Sequence, residues 1–295
     1  FQPLTIGDVT LSNRIIMAPL TRQRAGQERI PNDMMREYYM QRATAGLILT
    51  EATSVDPMGV GYKDTPGIWN EEQVQGWKRI TDGVHSKGGK IFLQLWHVGR
   101  VSDPLFLNGQ QPVAPTALAP KGHVSLIRPE KAYVTPRALE TSEVQDIVKK
   151  YKQGALNAKK AGFDGVEVHA ANGYLIDQFL QSTTNLRTDE YGGYVARELG
   201  KRKIAFIFTR EGQREGYLTG YLKKEFGGVV IANQGLSVEQ AEHLLKDGVA
   251  DAVSWGKYFI SNPDLPEKIM TGVALTAFDP QTFYSEGPKG YIDYK

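Results

Sequence analysis

Seven short apolar runs, at 13–19, 47–53, 90–97, 165–169, 204–208, 228–232 and 251–255, constrain this chain more than any other feature. Several of them are joined by stretches with helical periodicity. Asp33 opens one that carries Met34, Tyr38 and Tyr39 on one side and stops at Gly46. Asn70, followed by Glu71 and Glu72, opens a second in which Val74, Trp77, Ile80 and Val84 recur at spacings of three and four. Ser142 with Gln145 reads as a capping box for a third, whose apolar face is Val144, Ile147, Val148, Tyr151 and Ala155. Ser237 with Gln240 does the same for a fourth, packing Ala241, Leu244 and Leu245. Strand–helix alternation with strands apolar enough to be buried on both faces leaves two architectures, a (β/α)8 barrel or a doubly wound open sheet. No Gly-x-Gly-x-x-Gly follows the first run, which disfavours the dinucleotide-binding sheet. The expectation is therefore an α/β protein, a (β/α)8 TIM barrel forming a single domain over residues 1–295. Residues 102–141 lose all periodicity and hold Pro104, Pro112, Pro115, Pro120, Pro129 and Pro136, which reads as a long lid-like loop.

A closed barrel of this type needs one strand more than the runs supply. The break falls where Asp189-Glu190-Tyr191-Gly192-Gly193 runs straight into the helix-like Tyr194-Val195-Ala196-Arg197-Glu198-Leu199. Deleting a helix and a strand would leave unpaired edges, so the expectation is that a helix–strand unit is missing at 193/194, with the numbering closed over it.

The 295 residues suffice for a sizeable core, and the net charge of +2 gives no electrostatic case for nucleic acid or an anionic membrane. No apolar run approaches the roughly 20 residues of a membrane span. Zero cysteines exclude disulfides, a thiolate nucleophile and Cys-ligated metal, while His85, His97, His123 and His243 lack metal-ligand spacing. The default expectation is a soluble, cytoplasmic protein, monomer or homodimer.

Gly165-Val166-Glu167-Val168-His169-Ala170-Ala171-Asn172-Gly173-Tyr174 places three polar groups where a strand ends and a helix begins, the end at which parallel α/β folds keep their chemistry. His169 and Asn172 are neutral donors able to hold a developing oxyanion, and Tyr174 is a nearby proton source. Taken alone, His169 reads equally well as a core histidine and Tyr174 better as a packing aromatic. Their spacing is what raises them.

With His169-x-x-Asn172-x-Tyr174 in view, the chain resembles the old yellow enzyme family of flavin-dependent ene-reductases. Asn13-Arg14-Ile15-Ile16-Met17-Ala18-Pro19-Leu20-Thr21-Arg22, Glu51-Ala52-Thr53, Gly61-Tyr62, Pro66-Gly67-Ile68-Trp69, Gln94-Leu95-Trp96-His97-x-Gly99-Arg100, Asn262-Pro263-Asp264-Leu265 and Thr282-Phe283-Tyr284 are similar to that family in the same order. The resemblance implies non-covalent FMN, NADPH as reductant and an electron-poor alkene or nitro compound as oxidant, nitroesters included. It implies that Pro19, Leu20, Thr21, Ala52, Gln94 and His169 line the flavin ring. The phosphate would sit on Asn233, Gln234, Gly235, Gly256 and Lys257. His169 and Asn172 would bind the substrate oxygen, Tyr174 would protonate the α carbon, and Tyr62, Trp96 and Tyr284 would shape the pocket. Two departures stand out. Lys257 occupies a place where the family has Arg, which predicts weaker FMN retention, and the family's flavin-side Arg belongs to the missing strand. Two other functions compete, a phosphate-binding barrel isomerase or aldolase and a non-catalytic barrel remnant. The first lacks a lysine or carboxylate at the end of the fourth run.

Overall fold

The computed structural model describes residues 1–192, 204–210 and 219–294. The chain begins with a hairpin, β1 (Leu4–Ile6) and β2 (Val9–Leu11), turned through Gly7 and Asp8, with Gly7 at φ +57°. Seven strands then form a parallel, curled wall: β3 (Ile15–Met17), β4 (Leu47–Leu49) with its continuation β5 (Thr53–Ser54), β6 (Ile91–Trp96), β9 (Gly165–Val168), β10 (Phe206–Phe208), β11 (Val229–Asn233) and β12 (Ala252–Trp255). Two short strands, β7 (Val113–Ala114) and β8 (Arg137–Ala138), pair with each other inside the 102–141 segment, which is otherwise irregular apart from one 3₁₀ turn at Pro104–Phe106. Around the wall lie α1 (Asp33–Met40), α2 (Glu71–Ser86), α3 (Thr141–Lys160), α4 (Leu175–Leu180), α5 (Thr219–Phe226), α6 (Val238–Lys246), α7 (Lys257–Ser261) and α8 (Leu265–Thr271).

Strand alternation sorts side chains into two layers. On β6, Ile91, Leu93 and Leu95 face outward into the core shared with α1, α2 and α3, where Tyr38, Trp77, Ile80 and Val84 are buried. Phe92, Gln94 and Trp96 face inward. Phe92 joins Ile16, Leu47, Leu49, Ile231 and Ala252 in a plug that Ile6 and Leu11 of the hairpin close from the N-terminal end of the strands. The barrel bottom is thus sealed by hydrocarbon, and polar residues gather at the C-terminal ends. Gly165 is required where β9 meets β6, since a Cβ there would come within 2.6 Å of the Phe92 ring.

β12 pairs with β3 through Val253 and Ile15, and the order continues β3–β4–β6–β9. On the other side β10 pairs with β11 and β11 with β12. Nothing pairs β9 with β10 among the described residues, which leave the wall open there. The exposure agrees: β3, β4, β6 and β12 are buried throughout, whereas β10 is only half-buried and Val168 of β9 is 50% exposed. The expected break at Gly193 and Tyr194 lies outside the described residues.

Two helix starts differ from expectation. Asn32, not Asp33, caps α1, because its extended backbone lets Oδ1 accept from the Met35 amide at 3.0 Å. α3 begins at Thr141, and it is Glu143 that reaches back to the Glu140 amide at 2.8 Å, so Ser142 and Gln145 form no box. Arg137 grips the same Glu143 carboxylate at 2.7 and 2.8 Å, which fixes the cap two residues earlier, at Glu140. Val148 also departs from its expected role. It is 61% exposed beside the open wall, while Val144 is buried. The Asn70–Gln73 and Ser237–Gln240 boxes are both formed.

Candidate active site

One cavity of about 2230 Å³ occupies the C-terminal end of the strands and extends into the opening between β9 and β10. Pro19, Leu20, Thr21, Ala52, Tyr62, Gln94, Trp96, His169, Asn172, Tyr174, Asn233, Gln234, Gly235, Gly256, Lys257 and Tyr284 all line it. Chain segments following six strands, β3, β4, β6, β9, β11 and β12, therefore converge on a single space. It also takes in Val148 and Tyr151 of α3, outer-layer residues that reach it through the open wall.

The turn after β9 is held from several sides. The His169 amide donates to Leu95 O at 3.0 Å and the Leu175 amide to His97 O at 3.0 Å, tying the ends of the turn to β6 and to the residue that follows it. Buried Gln178 donates to Val98 O at 3.0 Å and Gly173 O at 2.7 Å, and Asp177 accepts from the Gly173 amide at 2.7 Å. Asn172 sits at φ +61°, a left-handed conformation that asparagine tolerates better than most residues. The strand end and this one tight turn put His169, Asn172 and Tyr174 on the same side.

The His169 and Tyr174 rings meet edge to face at 5.0 Å, and Trp96 packs on Tyr174 edge to face at 5.0 Å. Tyr62 stacks on Trp96 at 5.4 Å, and its hydroxyl lies 2.9 Å from that of Tyr174. Burial, reinforced by Tyr62, pushes the Tyr174 phenol well above its ordinary value, so it stays protonated. Burial pushes His169 down to about 4, opposed by Asp177 and helped by Arg210, so the imidazole is neutral at physiological pH. Among the described residues its ring makes no hydrogen bond, and the Trp96 indole N–H is a buried donor without a partner. Gln94 Nε2 donates to Glu167 at 2.8 Å, and desolvation pushes that carboxyl up to about 7. No group of three or more metal-ligating side chains is assembled among the described residues.

At the far end of the cavity Gln234 (φ +94°) and Gly235 (φ +70°) turn the chain after β11, with open space where a Gly235 Cβ would be. Asn233 is fixed by donating to Ser254 Oγ at 2.7 Å. Lys257 is exposed into the cavity, its Nζ 5.6 Å from the Phe278 ring centroid. Backbone turns and a cation at one end, and at the other a polar and aromatic wall whose His169 ring has no hydrogen-bond partner among the described residues, form a donor set that fits a phosphorylated, planar cofactor.

A family model described as the NADH:flavin oxidoreductase / NADH oxidase family matches residues 1–200. The chain belongs to this family. Its relatives include a putative 12-oxophytodienoate reductase 11 of Oryza sativa subsp. japonica, 38% identical over 352 residues that span 99% of this chain and 96% of that one. A probable flavin mononucleotide-dependent alkene reductase of Leishmania infantum is 36% identical over 350 residues, spanning 99% and 96%. Among solved structures, an old yellow enzyme homologue from Zymomonas mobilis superposes with a TM-score of 0.96 at 39% identity, covering 100% of this chain and 99% of that one. Morphinone reductase superposes with a TM-score of 0.94 at 40% identity, covering 100% and 95%. The old yellow enzyme fold is therefore that of this flavin oxidoreductase, a TIM barrel. The 352-residue alignment exceeds the 295 residues of this chain, so that relative carries residues with no counterpart here.

Sequence reasoning missed Arg210, Glu167 and Gln178. Arg210 and Gln178 stand outside every quoted motif, and Glu167 was absorbed into an apolar run. The one available signal was that Glu167 and His169 are two apart on a strand and so face the same way.

Proposed function

We propose that this protein is an FMN-dependent ene-reductase that oxidises NADPH and reduces the C=C bond of α,β-unsaturated carbonyl or nitro compounds, and nitroesters, in alternating half-reactions. The observation that carries this is the trio at the end of β9: a neutral imidazole without a hydrogen-bond partner among the described residues, a carboxamide beside it and a buried, protonated phenol, all lining one cavity. Bound FMN would supply the two-electron redox chemistry that links the nicotinamide to the alkene. Pro19, Leu20, Thr21, Ala52 and Gln94, which line the cavity, would flank its ring, and Asn233, Gln234, Gly235, Gly256 and Lys257 would hold its phosphate. His169 and Asn172 donate to the substrate's carbonyl or nitro oxygen, which gains negative charge as the β carbon is reduced. Two such donors stabilise that charge by about 3 kcal/mol each. Tyr174 passes its proton to the α carbon. Tyr62 and Trp96 hold Tyr174 in place and exclude water.

The visible spectrum of the purified or FMN-reconstituted protein tests this. Flavin bands bleached by NADPH, or by NADH at higher concentration, and restored by 2-cyclohexenone support it, and a protein that takes up no FMN overturns it. The gap that the described residues leave between β9 and β10 favours a second reading, a barrel that binds phosphorylated ligands without turnover. FMN bands that no enone restores would select it.

A further inference from the structure

We propose that Arg210 is a positioning residue for the substrate oxygen, orienting the Asn172 carboxamide and setting a positive charge beside the oxyanion that Asn172 and His169 hold. This rests on the ene-reductase function above. Arg210 leaves the C-terminal end of β10, across the open wall from β9, and its Nη1 donates to Asn172 Oδ1 at 2.9 Å. A guanidinium has donors only, so the amide must present its oxygen to Arg210, which turns Nδ2 the other way. Among the described residues that NH₂ group makes no hydrogen bond. One contact therefore decides which end of Asn172 faces a ligand. The amide is polarised by a full cation at its oxygen, which makes its N–H a stronger donor. The same charge helps to keep His169 neutral, so its ring acts as donor without becoming an acid in its own right. Lys257 lines the same cavity but lies against Phe278, at the end assigned to phosphate. The chain thus brings a cation to the donor pair from a strand that no motif marks.

The two roles separate by ligand and by substitution. FMN-loaded wild type, Arg210→Ala, Arg210→Gln and Arg210→Lys are titrated with pentafluorophenol at mildly alkaline pH, where it is an anion, and with acetophenone, which is neutral. Binding is read from the shift of the visible flavin band. Arg210→Ala is expected to lose about tenfold for the phenolate and only about threefold for the ketone. Arg210→Gln, which still donates to Asn172, restores the ketone but not the phenolate, and Arg210→Lys restores most of the phenolate preference. FMN content stays at the wild-type level in all three. Affinities within twofold of wild type in Arg210→Ala overturn the proposal, as does an equal loss for both ligands that neither Gln nor Lys repairs. A wild type that holds FMN yet binds neither ligand overturns the ene-reductase function, and this proposal with it.

Discussion

The hydroxyl oxygens of Tyr62 and Tyr174 lie 2.9 Å apart, although 112 residues separate them in the chain. Either can donate, and both rings pack on Trp96. The pair holds the proposed proton donor in one rotamer and gives it a second phenol from which to regain a proton. Tyr174→Phe is expected to lower turnover of 2-cyclohexenone by about 100-fold, and Tyr62→Phe by only about threefold to tenfold. Steady-state kinetics at saturating reductant measure both, and equal losses would contradict the assignment of Tyr174 as donor.

His169→Ala and Asn172→Ala each remove one donor from the substrate oxygen. Each is expected to cost about 10²-fold in kcat/KM for the enone. FMN content, measured by the flavin released on denaturation, should be unchanged in Asn172→Ala.

Buried His97 sets a pH dependence of stability. Burial lowers it to about 4, outweighing Asp56, and Nδ1 accepts from the Gly99 amide at 3.1 Å. Its folded value is below its unfolded one, so between about pH 6.5 and 4 the unfolded chain binds the extra proton and stability falls as pH falls. His97→Asn keeps an acceptor for Gly99 and removes the titration. Its loss of stability from pH 7 to 4 should be smaller than that of wild type by about 3 kcal/mol, as read from urea unfolding at each pH.

Lys257→Arg is expected to tighten FMN severalfold, because a guanidinium makes two parallel hydrogen bonds to phosphate where an ammonium acts as a point charge. Lys257→Ala should weaken it about tenfold. Fluorescence of free flavin during dialysis reports both, and equal affinity in wild type and Lys257→Arg would count against a phosphate at that end of the cavity.

Val144 and Val148 lie one helical turn apart on α3, one buried and one 61% exposed. Val144→Ala should cost about 1–2 kcal/mol and Val148→Ala less than about 0.5 kcal/mol in urea unfolding. A large loss at Val148 would mean that the open wall is covered in solution.

Much of the barrel was legible because its signals are local. Each of the seven apolar runs contains or overlaps a barrel strand, and β6 is buried throughout, as a run apolar on both faces leads one to expect. His169, Asn172 and Tyr174 fall within six residues of each other, so one turn places them together whatever the rest of the chain does. Cap positions were less secure. Ser142 and Gln145 have the right types and spacing, but Arg137 binds Glu143 from outside the helix and moves the start.

By itself, the sequence determined the strand–helix alternation and the polar strand end with its donor trio, since side-chain period and turn chemistry act over a few residues. Tertiary structure decided what meets across distance: Tyr62 on Tyr174, Arg210 on Asn172, and Val148 left facing an opening where helical periodicity alone expects a neighbour. Periodicity states which face of an element is apolar, and only the packed chain supplies, or withholds, the partner for that face.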